Sequence, residues 1–215
     1  MQENVKLTYN NKTFEFPLVK GSQDEYGVDI TKLRAQTGLI TLDPGFKNTG
    51  SCQSDITFLD GENGILRYRG YDIEDLADNA SFIEVAYLLI FGDLPSKKVL
   101  KVLEHKIHDD SYVDEDLKSI LKSFPKSAHP MGILASLTSG LIAFNPTSVD
   151  VNSEEDMLEA IVILLAKFPI LCAWTHRKVR GLPLNYANTS LSYIENVAHM
   201  MFKKPHQDYT PNPIV

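Results

Sequence analysis

Apolar and polar residues alternate from Val5 to Leu18: Val5, Leu7 and Tyr9, then Asn10-Asn11, then Thr13, Phe14, Phe16 and Leu18. Alternation of this kind puts successive side chains on opposite faces of a strand, and Asn-Asn tolerates the left-handed backbone of a tight turn. A β-hairpin turned at Asn10-Asn11 is predicted, broken at Gly21-Ser22. Asp29 to Arg34 predicts a short helix, and Leu39 to Gly64 short strands and turns. A second hairpin follows: Ile56, Phe58 and Leu59, then Asp60-Gly61-Glu62-Asn63-Gly64 with two glycines for positive φ, then Ile65, Leu66 and Tyr68.

After Tyr71 the period changes from two to that of a helix. Asp72 to Leu76 reads as a short capped turn, and Ser81 with Glu84 as a capping box. The helix they open carries Phe82, Val85, Ala86 and Leu89 on one face and ends at Gly92-Asp93. Pro95-Ser96 opens another, with Val99, Leu100, Val102, Leu103 and Ile107. A short helix spans about 114–124 and stops at Pro125.

Pro130 suits the first turn of a helix over 131–144 that has no charged residue, and so is expected to be buried all round. Ser153 caps a longer helix whose expected core stripe is Met157, Ile161, Leu164, Leu165 and Phe168. Pro169 should kink it, and Gly181 stops it after His176-Arg177-Lys178. A last helix is expected over about 190–202, then an extended proline-bearing tail, 205–215. The fold class is mainly α, with a β-rich region over 1–70 and a helical region over 71–215.

Composition narrows the function classes. The 215 residues are 43% hydrophobic and 23% charged, with a net charge of −7. That balance is ordinary for a globular protein and argues against a nucleic-acid footprint, which needs a basic face. Cys52 and Cys172 make no disulfide framework and read as reduced thiols. Met1-Gln2-Glu3-Asn4 lacks the basic and apolar regions of a signal peptide, and no apolar run reaches the ~18 residues of a membrane span. A cytoplasmic protein with no membrane partner is expected.

Candidate chemistry is sparse. His105 and His108 are spaced like a metal pair beside Asp109 and Asp110, but a zinc site needs three or four ligands, and a solvated helix end is the simpler reading. His129 could serve as a general base, but before Pro130 it reads more simply as a cap. Arg67 and Arg69 flank Tyr68 and could bind a carboxylate together; ion pairing to Asp72, Glu74 or Asp75 is the favoured alternative. His176, Arg177, Lys178 and Arg180 read as a dipole-complementing helix end. No nucleophile elbow, phosphate loop or C-x-x-C occurs. No catalytic, cofactor-binding or metal residue is therefore assigned.

Several segments nonetheless carry a resemblance, in one order along the chain: Leu42 to Phe46, Gly64-Ile65-Leu66-Arg67-Tyr68-Arg69-Gly70-Tyr71-Asp72-Ile73-Glu74-Asp75-Leu76, Phe82 to Pro95, Ala128-His129-Pro130-Met131, and Tyr209 to Pro213. Together they resemble the N-terminal half of citrate synthase, and the first fifty or so residues resemble its bacterial type II form. The resemblance implies condensation of acetyl-CoA with oxaloacetate by the parent enzyme, with acetyl-CoA a substrate and no separate cofactor. It also implies a dimer built from helices at 130–144 and 153–179, and a hexamer for the parent. In the family the two catalytic histidines, the aspartate and the oxaloacetate-binding arginines follow the point matching Val215, so this half alone is expected to be inactive. His108-Asp109-Asp110 stands where NADH-inhibited members carry basic residues, which argues against NADH regulation. A 2-methylcitrate synthase, or a non-catalytic helical assembly module, is the alternative.

Overall fold

A computed structural model describes residues 3–146, 150–188 and 190–211. Met1-Gln2 and the Asn212-Pro213-Ile214-Val215 end of the tail lie outside the described residues. The chain divides into two compact units, Met1–Asp55 and Ile56–Val215.

In the first unit, β1 (Asn4–Tyr9) pairs antiparallel with β2 (Lys12–Lys20), setting Val5 opposite Phe16 and Leu7 opposite Phe14. Asn10 and Asn11 turn the hairpin at φ 50 and 57, as their tolerance of the left-handed region predicts. A third strand, β3 (Tyr26–Val28), adds to the other edge of β2. Its three residues, with a central glycine, are too few to show alternation. The expected helix over 29–34 forms later, as α1 (Leu33–Thr37). Asp29 explains the shift: its carboxylate accepts from the Thr31 N–H at 2.9 Å and from the Thr31 hydroxyl, a local turn that competes with helix. From Leu39 to Ile56 no strand forms among the described residues. Asp43 organises part of this loop, accepting from the Lys47 and Asn48 amides and the Thr49 hydroxyl at 3.2, 2.8 and 2.7 Å.

The second unit opens with the hairpin of β4 (Thr57–Asp60) and β5 (Ile65–Tyr68), followed by β6 (Tyr71–Asp72). Only Gly64 of the two turn glycines has positive φ (69). The rest of the turn is held by Asp60, which accepts from the Glu62 and Asn63 amides at 3.1 Å each. The first helix, α2 (Ile73–Asn79), packs on β5 and β6.

Six further helices follow: α3 (Phe82–Phe91), α4 (Lys97–Asp109), α5 (Glu115–Ser123), α6 (Pro130–Phe144), α7 (Glu154–Arg180) and α8 (Tyr193–Phe202). With eight helices among the described residues the fold is mainly α. Caps set the boundaries. Ser81 and Glu84 form the reciprocal box at α3, Ser96 and Ser153 each accept from the amide three residues on, and Gly92 and Gly181 close their helices in the left-handed region. The last helix starts at Tyr193 rather than 190, because the Glu195 carboxylate accepts from the amide and hydroxyl of Ser192 and fixes the first turn there.

Which face is buried departs from expectation in four helices. Those of α3 are Ile83 and Leu88, with Phe82 exposed. On α4, Ile107 is buried while Val99 and Val102 face out. The uncharged α6 buries one stripe only, Ile133, Leu137 and Leu141, and leaves Met131 and Ile142 each 62% exposed. On α7 the buried stripe is Ile163, Ala166, Lys167, Ile170, Leu171, Trp174 and Arg177, while Met157, Leu164 and Phe168 lie exposed.

The main core joins Leu117 and Leu121 of α5, the α6 stripe, Ile170, Leu171 and Trp174 of α7, and Met200 of α8. At 27 residues, with mean hydropathy 2.0 over eighteen of them, α7 is long and apolar enough to cross a membrane. Here it is packed by α4, α5, α6 and α8, as a core helix is.

Candidate functional site

The second half of α7 gathers the buried polar groups. Arg177 is 1% exposed. Its Nε donates to the Pro183 carbonyl, and its Nη1 to those of Met201 and Lys203, both at 3.0 Å. Asn185 works beside it: Nδ2 donates to the His199, Met200 and Lys203 carbonyls at 3.3, 3.2 and 3.0 Å. The Trp174 indole donates in turn to the Asn185 carbonyl at 2.8 Å. The last carbonyls of α8, orphaned at a helix end, thus find donors on α7 and on the loop after it. Burial pulls the Arg177 pKa down from its ordinary value. The basic run expected to be a dipole-complementing helix end therefore holds an interior arginine.

Two more buried donors serve backbone. Lys167 donates to the Tyr112 carbonyl at 2.9 Å and the Asp110 carbonyl at 3.3 Å, with its ammonium 4.1 Å from the centre of the Tyr112 ring. Burial lowers its pKa, against the opposing pull of Asp110. The Tyr193 hydroxyl donates to the Leu165 carbonyl at 2.8 Å. Leu165 is four residues before Pro169, so its carbonyl has lost the helical N–H that proline cannot supply. Tyr193 repairs that gap, and α7 continues through Pro169. Burial, with the neighbouring Cys172, pushes the Tyr193 pKa up to about 12.

The residues singled out by sequence do not assemble. His105 and His108 lie 3.5 and 4.0 Å from Asp109, and no group of three metal donors forms among the described residues. His129 is a cap: its Nδ1 accepts from the Met131 amide at 3.2 Å. Arg67 donates to Asp72 at 2.6 Å, the favoured pairing. Arg69, past the end of β5 at φ 51, donates to the Leu89 carbonyl at 3.0 Å near the end of α3. His176 lies edge-on to Phe202, its pKa lowered by burial, then by Arg180 and Arg177. His199 meets Tyr209 similarly, its pKa lowered by burial, then by Lys203. Cys52 is exposed, and burial raises the pKa of the half-buried Cys172 thiol, the opposite of activation.

Sequence reasoning missed Lys167 and Asn185 altogether, and the interior role of Arg177. A signal did exist for the first two. They fall in register with Ile163, Ile170 and Trp174 at spacings of three, four and seven, the stripe a helix buries. Nothing local marks Asn185. All three donate to backbone carbonyls, so the cluster braces helix ends and offers no free acid, base or nucleophile of its own.

The described residues of the second unit include two open clefts. One, of about 680 Å³, lies between the N-termini of α3 and α8, where the capping carboxylates of Glu84 and Glu195 already accept from the Ser81 and Ser192 amides. The other, of about 420 Å³, is an apolar groove between α3, α4 and α7.

Comparison with known proteins points to citrate synthase. A family model described as citrate synthase, C-terminal domain, matches residues 45–213. The citrate synthase of Corynebacterium glutamicum is 44% identical over 222 aligned residues, covering all of this chain and 51% of that protein. The chain thus spans about half the length of the curated relative it matches. Among solved structures, citrate synthase from Thermotoga maritima is similar at a TM-score of 0.63 and 30% identity, over 77% of this chain and 43% of that one. Citrate synthase from Pyrobaculum aerophilum shares the fold at a TM-score of 0.66 and 24% identity, over 99% of this chain and 48% of that one.

Proposed function

The chain belongs to the citrate synthase family, and from that membership we propose that it is one part of an enzyme condensing acetyl-CoA with oxaloacetate to citrate and CoA. The observation that carries this is the 44% identity to the C. glutamicum enzyme along the whole chain. The chemistry asks for a base to take an acetyl methyl proton, donors at the developing enolate oxygen, and cationic forks for a dicarboxylate. Lys167, Arg177 and Asn185 donate to backbone carbonyls, and the histidines of this chain are caps, edge contacts or solvated groups. Its own contribution is the helical frame, and alone it does not make citrate.

The purified 215-residue chain should release no thiol from acetyl-CoA plus oxaloacetate above the buffer blank. Turnover abolished by His105→Ala, His108→Ala or His129→Ala would overturn this.

The same reading makes the outer faces of α6 and α7 a contact for a second copy. The outer face of α6 carries Gly132, Ala135, Ser139 and Ala143 beside Met131 and Ile142, so a partner backbone can approach closely. Exposed apolar surface of this kind marks an interaction site. A cytoplasmic dimer, with higher assembly as in type II members, is the state we assign. Leu137 cannot report on it, because its side chain is fully buried in the core.

A further inference from the structure

Cations gather at one end of the second unit. The chain has 28 acids against 21 bases, yet no Asp or Glu lies between Asp116 and Asp150, between Glu159 and Glu195, or between Glu195 and Asp208. Those stretches contain the ends of α5, α7 and α8, and the fold brings the three ends together. Lys178 on α7 donates to the Lys122 carbonyl at the end of α5, and Arg177 to the Lys203 carbonyl after α8, both at 3.0 Å. The Lys126 ammonium stands 3.5 Å from where a Cβ on Gly181 would be. Around the interior Arg177, Lys122, Lys126, Arg180 and Lys204 are exposed, and Lys178 and Lys203 half-buried. None of these pairs with a carboxylate among the described residues.

Helix ends explain only part of this. Each C-terminus carries about half a negative charge, so three offset about 1.5 positive charges, against the seven present. The excess is felt at His176 and His199, whose pKa values are lowered by burial and then by Arg180 and Lys203 respectively. Two apolar side chains share this end: Leu182 follows the Gly181 cap at 42% exposure, and Phe202 lies edge-on to His176 at 51%. A nucleic-acid backbone would use the cations and leave Leu182 and Phe202 against phosphates. The surface of an anionic bilayer uses both, setting cations at its phosphates and taking apolar groups between its headgroups.

We propose that this end of the second unit docks the chain on an anionic lipid surface. Such a contact lies on the membrane and spans nothing. The sequence expectation of no membrane partner rests on spanning runs and signal peptides, so it does not bear on this contact. Nor does the contact depend on the condensation chemistry proposed above.

The full 215-residue chain should sediment with vesicles of equal parts phosphatidylglycerol and phosphatidylcholine, and not with phosphatidylcholine alone. Added salt should release it. A Lys or Arg near an anionic surface is worth about fivefold in binding, so Lys126→Glu, Arg180→Glu and Lys204→Glu together should lower partitioning by roughly a hundredfold or more. The same charge change on α4, Lys97→Glu, Lys98→Glu and Lys101→Glu, should cost less than about tenfold. Should the reversal at α5, α7 and α8 lower the urea midpoint, glutamine at the same three positions takes its place, with a loss of about a hundredfold. Leu182→Ser should weaken binding a few-fold and leave its salt dependence unchanged. The proposal is overturned if the wild-type chain stays in the supernatant with the anionic vesicles, or if the α4 reversal costs as much as the other. Vesicle binding indifferent to Leu182→Ser, with tighter binding to duplex DNA, would assign this end to nucleic acid instead.

Discussion

Up to Phe168, α7 turns Met157, Leu164 and Phe168 toward solvent, Phe168 at 41% exposure; from Ile170 onward it buries a guanidinium to 1%. One helix thus exposes an aromatic ring and hides a charge within three turns. The difference lies in what meets each half. Carbonyls of Pro183, Met201 and Lys203 come to Arg177, so the charge is solvated by backbone. The exposed half is met by no equivalent cover among the described residues. Burial on this helix follows the stripe that neighbouring elements reach, and polarity is accommodated afterwards.

The strongest way to break this contrast is Arg177→Ala. It removes donors from three carbonyls and leaves a cavity beside Trp174. At about 1–3 kcal/mol for each buried group left unpaired, partly offset by entering water, we expect a loss of about 3–5 kcal/mol. A urea midpoint shift at unchanged slope would measure it. Arg177→Lys should recover only part, because an ammonium cannot match the planar fork. A loss below about 1 kcal/mol would mean that the carbonyls find other donors.

A smaller change probes the junction between the halves. Tyr193→Phe deletes the hydroxyl that serves the Leu165 carbonyl, and should cost about 1–3 kcal/mol. In a Pro169→Ala background the restored amide can reach Leu165, so the same deletion should cost less. A double-mutant cycle reads this coupling. Equal costs in both backgrounds would show that the hydroxyl does not act through the Leu165 carbonyl.

Where a cap is local, the element boundary was legible in the sequence. Asn10-Asn11, Ser81 with Glu84, Gly92, Ser153 and Gly181 each do their work within four residues. Buried faces were not. In α3 apolar residues occupy nearly every position from Phe82 to Phe91, so the helical period offers several stripes of equal merit. In α7 the stripe through Met157, Leu164 and Phe168 is as apolar as the one that is buried, and more so, since the latter contains Lys167 and Arg177. The winner is decided by elements far along the chain that pack against it; Asp110, whose carbonyl accepts from Lys167, is 57 residues away. The family was legible through collinear motifs, although none of their side chains forms a reactive cluster here. Arg67, the most suggestive of them, is spent on Asp72.

The least change to the fold should come from Phe168→Glu, and it is the most direct test of the exposed half. A carboxylate at a solvent-facing helix position leaves the core untouched, so stability should stay within about 0.5 kcal/mol of wild type. Association is another matter. If a second copy covers this face, each docking event would bury two new charges against apolar surface, and the dimer constant should weaken about tenfold or more. Sedimentation at on the order of tens of micromolar should show the wild-type chain as a dimer and the variant as a monomer with an unchanged urea midpoint. Leu137→Ala supplies the contrast: its side chain is fully buried, so it should cost about 2–5 kcal/mol and lower the midpoint. A wild-type chain that sediments only as monomer would remove the second copy from this face. A Phe168→Glu variant that loses as much stability as Arg177→Ala would instead mean that both halves of α7 are interior.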